Sequence, residues 1–174
     1  MRKLIAVLIP FLLVSCIFNE EDGTPRAEKL AHPDIVLEKA EYMLAQGNGN
    51  PIMLSGERIV FYSSDHRAEL ESFSFYQTGD DGEIRIEGQA DRGTVNTENE
   101  TIRLEGNVML KEISENLEIH ADQAFIDSRN QEITAQGPVS VRSGGGNFRG
   151  TGFSGDMKTK RYSFSSIEQG ELVL

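Results

Sequence analysis

The only cysteine of this chain, Cys16, follows Leu13-Val14-Ser15. A small residue before a cysteine, at the end of an apolar stretch, is where a bacterial lipoprotein signal is cut, and the thiol then takes the lipid. A lone cysteine has no intramolecular disulfide partner, so nothing competes with this use. Gly150-Thr151-Gly152-Phe153-Ser154-Gly155 has the letters of a dinucleotide-binding loop. That chemistry needs a helix after the glycines, whose N-terminus meets the pyrophosphate. Asp156 to Arg161 is short and turn-like and precedes Tyr162 and Phe164, so a glycine-rich sheet corner is expected instead. His32, His66 and His120 are far apart and lack spaced partners, so no zinc pattern exists. Paired carboxylates could serve as acid and base. Glu87, Glu105 and Glu118, however, alternate with apolar residues and read as an outer face. Asp91 and Asp122 recur at one place in a repeat, which suits an acceptor capping backbone N–H groups at a bend. No serine has a nucleophile-elbow context. The residues therefore predict no catalytic set, no metal and no cofactor.

The elements behind these residues repeat. Ala90-Asp91 is followed by Gly106-Asn107-Val108, and Ala121-Asp122 by Gly137-Pro138-Val139. Each pair is 16 residues apart, and the unit recurs after 31. Apolar residues alternate around the anchors. Ile84, Ile86, Ala90 and Val95 belong to one stretch, and Ile102, Leu104 and Val108 to the next. Leu117, Ile119, Ala121, Ala124 and Ile126 follow, and then Ile133, Val139 and Val141. Alternation at a fixed period is the mark of strands stacked in series. The phase shifts at each Ala-Asp corner, which predicts a bulge where a strand crosses from one sheet to a facing one. A weaker third copy aligns Gly152, Gly155, Met157 and Phe164 at the same offset of 31. The shared apolar interior is either a packed core or a ligand groove. The small residues Ala90, Gly93, Ala121, Ala124, Ala135 and Gly152 argue for space between the sheets.

The 174 residues suffice for one domain with a core. The net charge of −11 repels a nucleic-acid backbone, so no nucleic-acid partner is expected. Arg2-Lys3 and the apolar run Leu4 to Val14 form a signal. The run is too short for a full membrane span, which needs about 20 apolar residues. The predicted organisation is a signal with a lipobox, or a short anchor helix, over 1–16. A flexible tether follows over 17–33, and a β domain over 34–174. The segment Asp34 to Gln46 is ambiguous. Its Ala, Leu, Glu, Lys and Met favour helix by propensity, whereas Ile35, Leu37 and Met43 share a strand face.

Three strings carry a resemblance: IRLEGNVML (102–110), IHADQAFIDSRNQEITAQGPVSV (119–141) and GTGFSGDMKTKRYSF (150–164). Together they resemble the LptC family of the lipopolysaccharide export machinery, related to the LptA proteins, over roughly 34–174. The resemblance implies an all-β fold, a twisted open β-jellyroll of antiparallel strands. Its apolar interior would hold acyl chains of lipopolysaccharide or a related glycolipid. It makes the segment after Asp34 a strand. It also implies that an LptA-like periplasmic protein pairs with the C-terminal edge, Tyr162-Ser163-Phe164-Ser165-Ser166-Ile167. An LptF/LptG-like transporter domain would meet the N-terminal edge. The chain would sit at the periplasmic face of the inner membrane. Cys16 is a departure, because the family usually keeps a transmembrane helix. The alternative is a structural envelope lipoprotein that joins partners by strand addition and carries no lipid.

Overall fold

A computed structural model describes residues 32–44 and 50–172. Nine strands run in chain order: β1 (Ile35–Leu44), β2 (Ile52–Tyr62), β3 (Arg67–Thr78), β4 (Ile84–Asn96), β5 (Thr101–Glu112), β6 (Leu117–Asp127), β7 (Glu132–Ser143), β8 (Gly146–Asp156) and β9 (Arg161–Leu172). They form one antiparallel sheet in which each strand pairs with its sequence neighbours, β1 to β9 in order. A short 3₁₀ turn, Ser63–Asp65, joins β2 to β3. The ambiguous N-terminal segment is therefore strand. Ile35 to Leu44 pairs with Phe61 to Ile52, and those cross-strand contacts outweigh helical propensity.

Every strand bends near its middle, and the pairing skips there. The register passes from Gln89 to Arg92 on β4, from Glu105 to Val108 on β5 and from Ala121 to Phe125 on β6. On β5 and β7 the bend uses the left-handed region, with φ of 76° at Gly106 and 82° at Gly137. A glycine adopts that backbone without the clash a Cβ brings. Gly106 has a second reason. A Cβ there would meet the Asp91 Oδ2 atom at 2.4 Å, whereas one at Gly137 would meet nothing within 4 Å. The 16-residue spacing is thus the path from the bend of one strand, around a hairpin, to the bend of the next. Asp91 accepts a hydrogen bond from the Asn107 side-chain amide (2.8 Å). The expected backbone capping is replaced by this side-chain pair on its neighbour strand.

The bends divide the sheet into two facing half-sheets. The first holds 35–38, 58–62, 67–71, 92–96, 101–105, 123–127, 132–135, 153–156 and 161–164, by the registers on one side of each skip. The second holds the remaining half of each strand. Their inner faces share one core. Tyr42 of the second half-sheet packs on Phe61 of the first, with ring centroids 5.1 Å apart. The third repeat is shorter than the predicted offset. Ile126 pairs with Ile133 and Ile133 with Gly155, a step of 29. The reason is the turn at Gly144-Gly145, two residues long, where the β5–β6 turn has four.

Candidate functional site

The interior changes character along each strand. Close to the bend it is closed. Leu104 and Val108 are 0% and 1% exposed, and Ala90, Ala121, Ala124, Val139 and Val141 are buried with them. The small residues do not leave space, as their sizes suggested. They lie at the bend, where short side chains let the half-sheets approach, and they are filled around. The Phe73 ring, for example, occupies the place of a Cβ on Gly93, 2.6 Å from it. Apolar surface packed this way holds the sheet bent, at roughly 25 cal/mol per Å² removed from water.

Away from the bend, between the strand tips, lies a cavity of about 380 Å³. Ile86, Leu117 and Ile119 line it from the second half-sheet. Val95, Ile102, Ile126, Ile133 and Met157 line it from the first. Leu110 on β5 adds to the floor, and Leu44, Ile52, Leu54, Phe73 and Phe75 extend the wall toward β1. Polar groups stand at its mouth: Gln77, Glu112, Asp127, Ser128 and Gln131. An apolar floor with a polar rim fits an amphiphile that buries its tail and leaves its head in water.

The structure brings together Ile86, Val95, Ile102, Leu117, Ile119, Ile126, Ile133 and Met157 of the predicted inward stripe at this cavity. Ile84 is 39% exposed at the tip of β4, outside it. Phe164 packs against the core beyond the cavity, with Phe153 5.4 Å away edge-on and Phe148 at 6.5 Å. Alternation assigns a face, but it does not tell the bend from the tip. The wall residues of β1 to β3 lay outside the 31-residue repeat and so were missed. Their signal was the same alternation in Ile52, Leu54, Phe73 and Phe75.

The outer faces account for the charged groups. Lys111 donates to Glu87 (2.8 Å), Arg92 stands 3.5 Å from Glu105, and Arg142 stands 3.5 Å from Glu118. The Glu118 carboxyl is held below its usual range, first by its hydrogen bond with His120. The three Lys and Arg pairs join neighbouring strands, whereas Glu118 and His120 share β6, and exposed pairs of this kind contribute little each. Among the described residues no three metal-ligating side chains cluster. The stretch Gly150 to Gly155 lies inside β8, with Gly152 at φ 64° in the bend. The 1–16 signal, Cys16 and most of the 17–33 tether lie outside the described residues.

The sheet has two outer edges. β9 exposes Ser163, Ser165, Ser166 and Ile167, the last 57% exposed, while Tyr162 is half-buried. β1 exposes Ile35, Val36 and Met43. Each edge strand has one pairing neighbour, so half its backbone donors and acceptors face outward.

A bent, open antiparallel sheet with an apolar interior and two free edges defines the class: an open β-jellyroll. The same fold is seen in the crystal structure of LptH, the LptA homologous periplasmic component of the lipopolysaccharide transport device from Pseudomonas aeruginosa. The TM-score is 0.59 at 10% identity, over 72% of this chain and 95% of that one. No curated protein matches significantly. A family model described as lipopolysaccharide-assembly, LptC-related matches residues 4–170, and the chain belongs to that family. Membership makes it a lipopolysaccharide-assembly protein.

Proposed function

We propose that this chain is a non-enzymatic lipid carrier, tethered at the periplasmic face of the inner membrane. It holds acyl chains of lipopolysaccharide between its half-sheets and passes them to an LptA-like protein paired with β9. The β1 edge meets the jellyroll domain of an LptF/LptG-like transporter. The observation that carries this reading is the cavity between the tips, apolar within and polar at its mouth. Each methylene moved into it gains about 0.8 kcal/mol, so even a partly inserted chain is held. Sliding of a chain along an apolar floor breaks no hydrogen bond, which suits a conduit better than a store. Among the described residues no side-chain set suggests a competing reaction.

The test is photo-crosslinking in cells. Crosslinkers at Ile119 and Ile126 capture lipid, whereas those at the outward Arg103, Glu118 and His120 do not. Equal capture at both sets, or none at either, overturns the carrier reading. The anchor is tested separately by mass spectrometry of the N-terminus. Lipidation at Cys16 is expected in the wild type, and Cys16→Ala leaves an uncleaved, unlipidated chain. An unmodified N-terminus at Met1 in the wild type shows a retained helix instead.

A further inference from the structure

The mouth of the cavity is not uniform. On the β1 side, among the described residues, no hydrogen bond or ion pair joins the tips of the two half-sheets. There the contacts stay within one tip, as when Asn50 donates to Asp80 or Ser63 N–H to the Asp34 carboxylate. On the β9 side one contact crosses. Lys160, in the β8–β9 turn of the first half-sheet, donates to Glu115, in the β5–β6 turn of the second. Directly below, the Tyr162 hydroxyl is buried with no hydrogen-bond partner. Its ring stacks on Phe153 at 6.1 Å, and Phe164 and Phe148 continue this aromatic cluster across both half-sheets. The cavity ends at Met157, just short of it.

We propose that Lys160–Glu115 and the aromatic cluster beneath it form a gate. It closes the C-terminal end of the groove against passage toward the β9 edge. Two features make the closure marginal. The ion pair is exposed, with side chains 53% and 37% accessible, and such pairs bind weakly. The closed form also leaves the Tyr162 hydroxyl unsatisfied, a cost that opening to water or to a ligand oxygen removes. The nearby Glu112 and Glu115 carboxylates reinforce the effect of burial in raising the phenol pKa. Lys160 is the cation that meets the Glu115 carboxylate across the mouth. The role of this gate in transfer rests on the carrier reading above. Its existence as a two-state closure does not.

The experiment uses the full chain with Cys16→Ser, so that spin labels at Ser114→Cys and Thr159→Cys report the distance across the mouth. One short, narrow distribution is expected. Lys160→Glu places three carboxylates together and shifts the distribution to longer, broader distances. The swap Lys160→Glu with Glu115→Lys restores the short one. Circular dichroism checks that each variant folds, and Lys160→Ala serves if Lys160→Glu does not. An unchanged distribution in the charge-reversed or neutral variant, or a swap that fails to restore it, overturns the gate. Lipid capture at Ile126 in the wild-type background separates the two ideas. Capture without a distance shift removes the gate alone, and a distance shift without capture removes the carrier alone.

Discussion

The same strands make two interiors. Within a few residues of the bend, Leu104, Val108 and Val139 are sealed. Toward the tips, Ile102 and Ile126, on the same faces, are only partly buried and line open space. Composition does not separate the two zones, because both are aliphatic. What differs is how far the half-sheets have diverged. Near the bend they are held together by the chain itself. At the tips only side chains could bridge the gap, and at the cavity they do not reach. One zone therefore supplies stability and the other capacity, and substitutions of similar size should have opposite consequences in them.

Truncation tests this most sharply. Leu104→Ala should lose about 2–5 kcal/mol of unfolding free energy in urea titration, since a buried leucine leaves a cavity that a sealed site cannot refill. Ile126→Ala, which enlarges existing space, should lose about 1 kcal/mol while lipid capture at neighbouring Ile119 falls. Equal losses would erase the distinction. The bend itself comes next. Gly106→Ala should cost about 2–3 kcal/mol, because it combines a left-handed backbone with a clash against Asp91. Gly137→Ala, with the same backbone and no clash, should cost about 1 kcal/mol. A reversed order would show that the bend does not depend on the Asp91 contact.

Smaller effects on the fold are expected at the edge and at the turns. A proline at Ser163 or Phe164 removes one backbone donor, and N–H directions alternate along β9. One of the two variants should keep its circular dichroism and lose an LptA-like partner in pull-down. If both fold and bind like wild type, β9 is not the docking strand. At the β8–β9 turn, Asp156 accepts from the Thr159 N–H (2.8 Å) and the Lys158 N–H (2.9 Å). These bonds hold its pKa below the usual carboxylate range. A depressed carboxylate pKa adds stability above the unfolded value, and the gain is lost as pH falls through the folded one. Asp156→Ala should therefore be slightly less stable than wild type at neutral pH, with the gap narrowing in acid. A gap that widens in acid would contradict the assignment.

The alternation and the 31-residue period made the strands, their facing and the bends legible. The 16-residue spacing located the bends, since glycine and the short acceptor are what a chain reversal of this kind requires. Two things were hidden. The third repeat runs at 29 because of one shorter turn, and a period cannot register a turn length that occurs once. The extent of the cavity was hidden as well. Ile102 and Leu104 are two positions apart on one face, and only the divergence of the half-sheets separates them. Small residues such as Ala121 pointed to space when they in fact permit contact. Lys160 and Glu115, 45 positions apart, belong to no pattern that one sequence displays.

Pairing in strict chain order has a kinetic consequence. Each strand's partner is the next one along, so every pairing closes as a hairpin and none must wait for a distant segment. All-β proteins fold slowly when their contacts are remote in sequence. This sheet can instead form from any hairpin and grow outward in both directions, as repeat arrays do. A sheet that zips from local pieces shortens the time its apolar strands spend exposed. β1 and β9 each have a single pairing neighbour, so their outward backbone groups remain available. A strand from another protein would be added by the same step that added the last of its own.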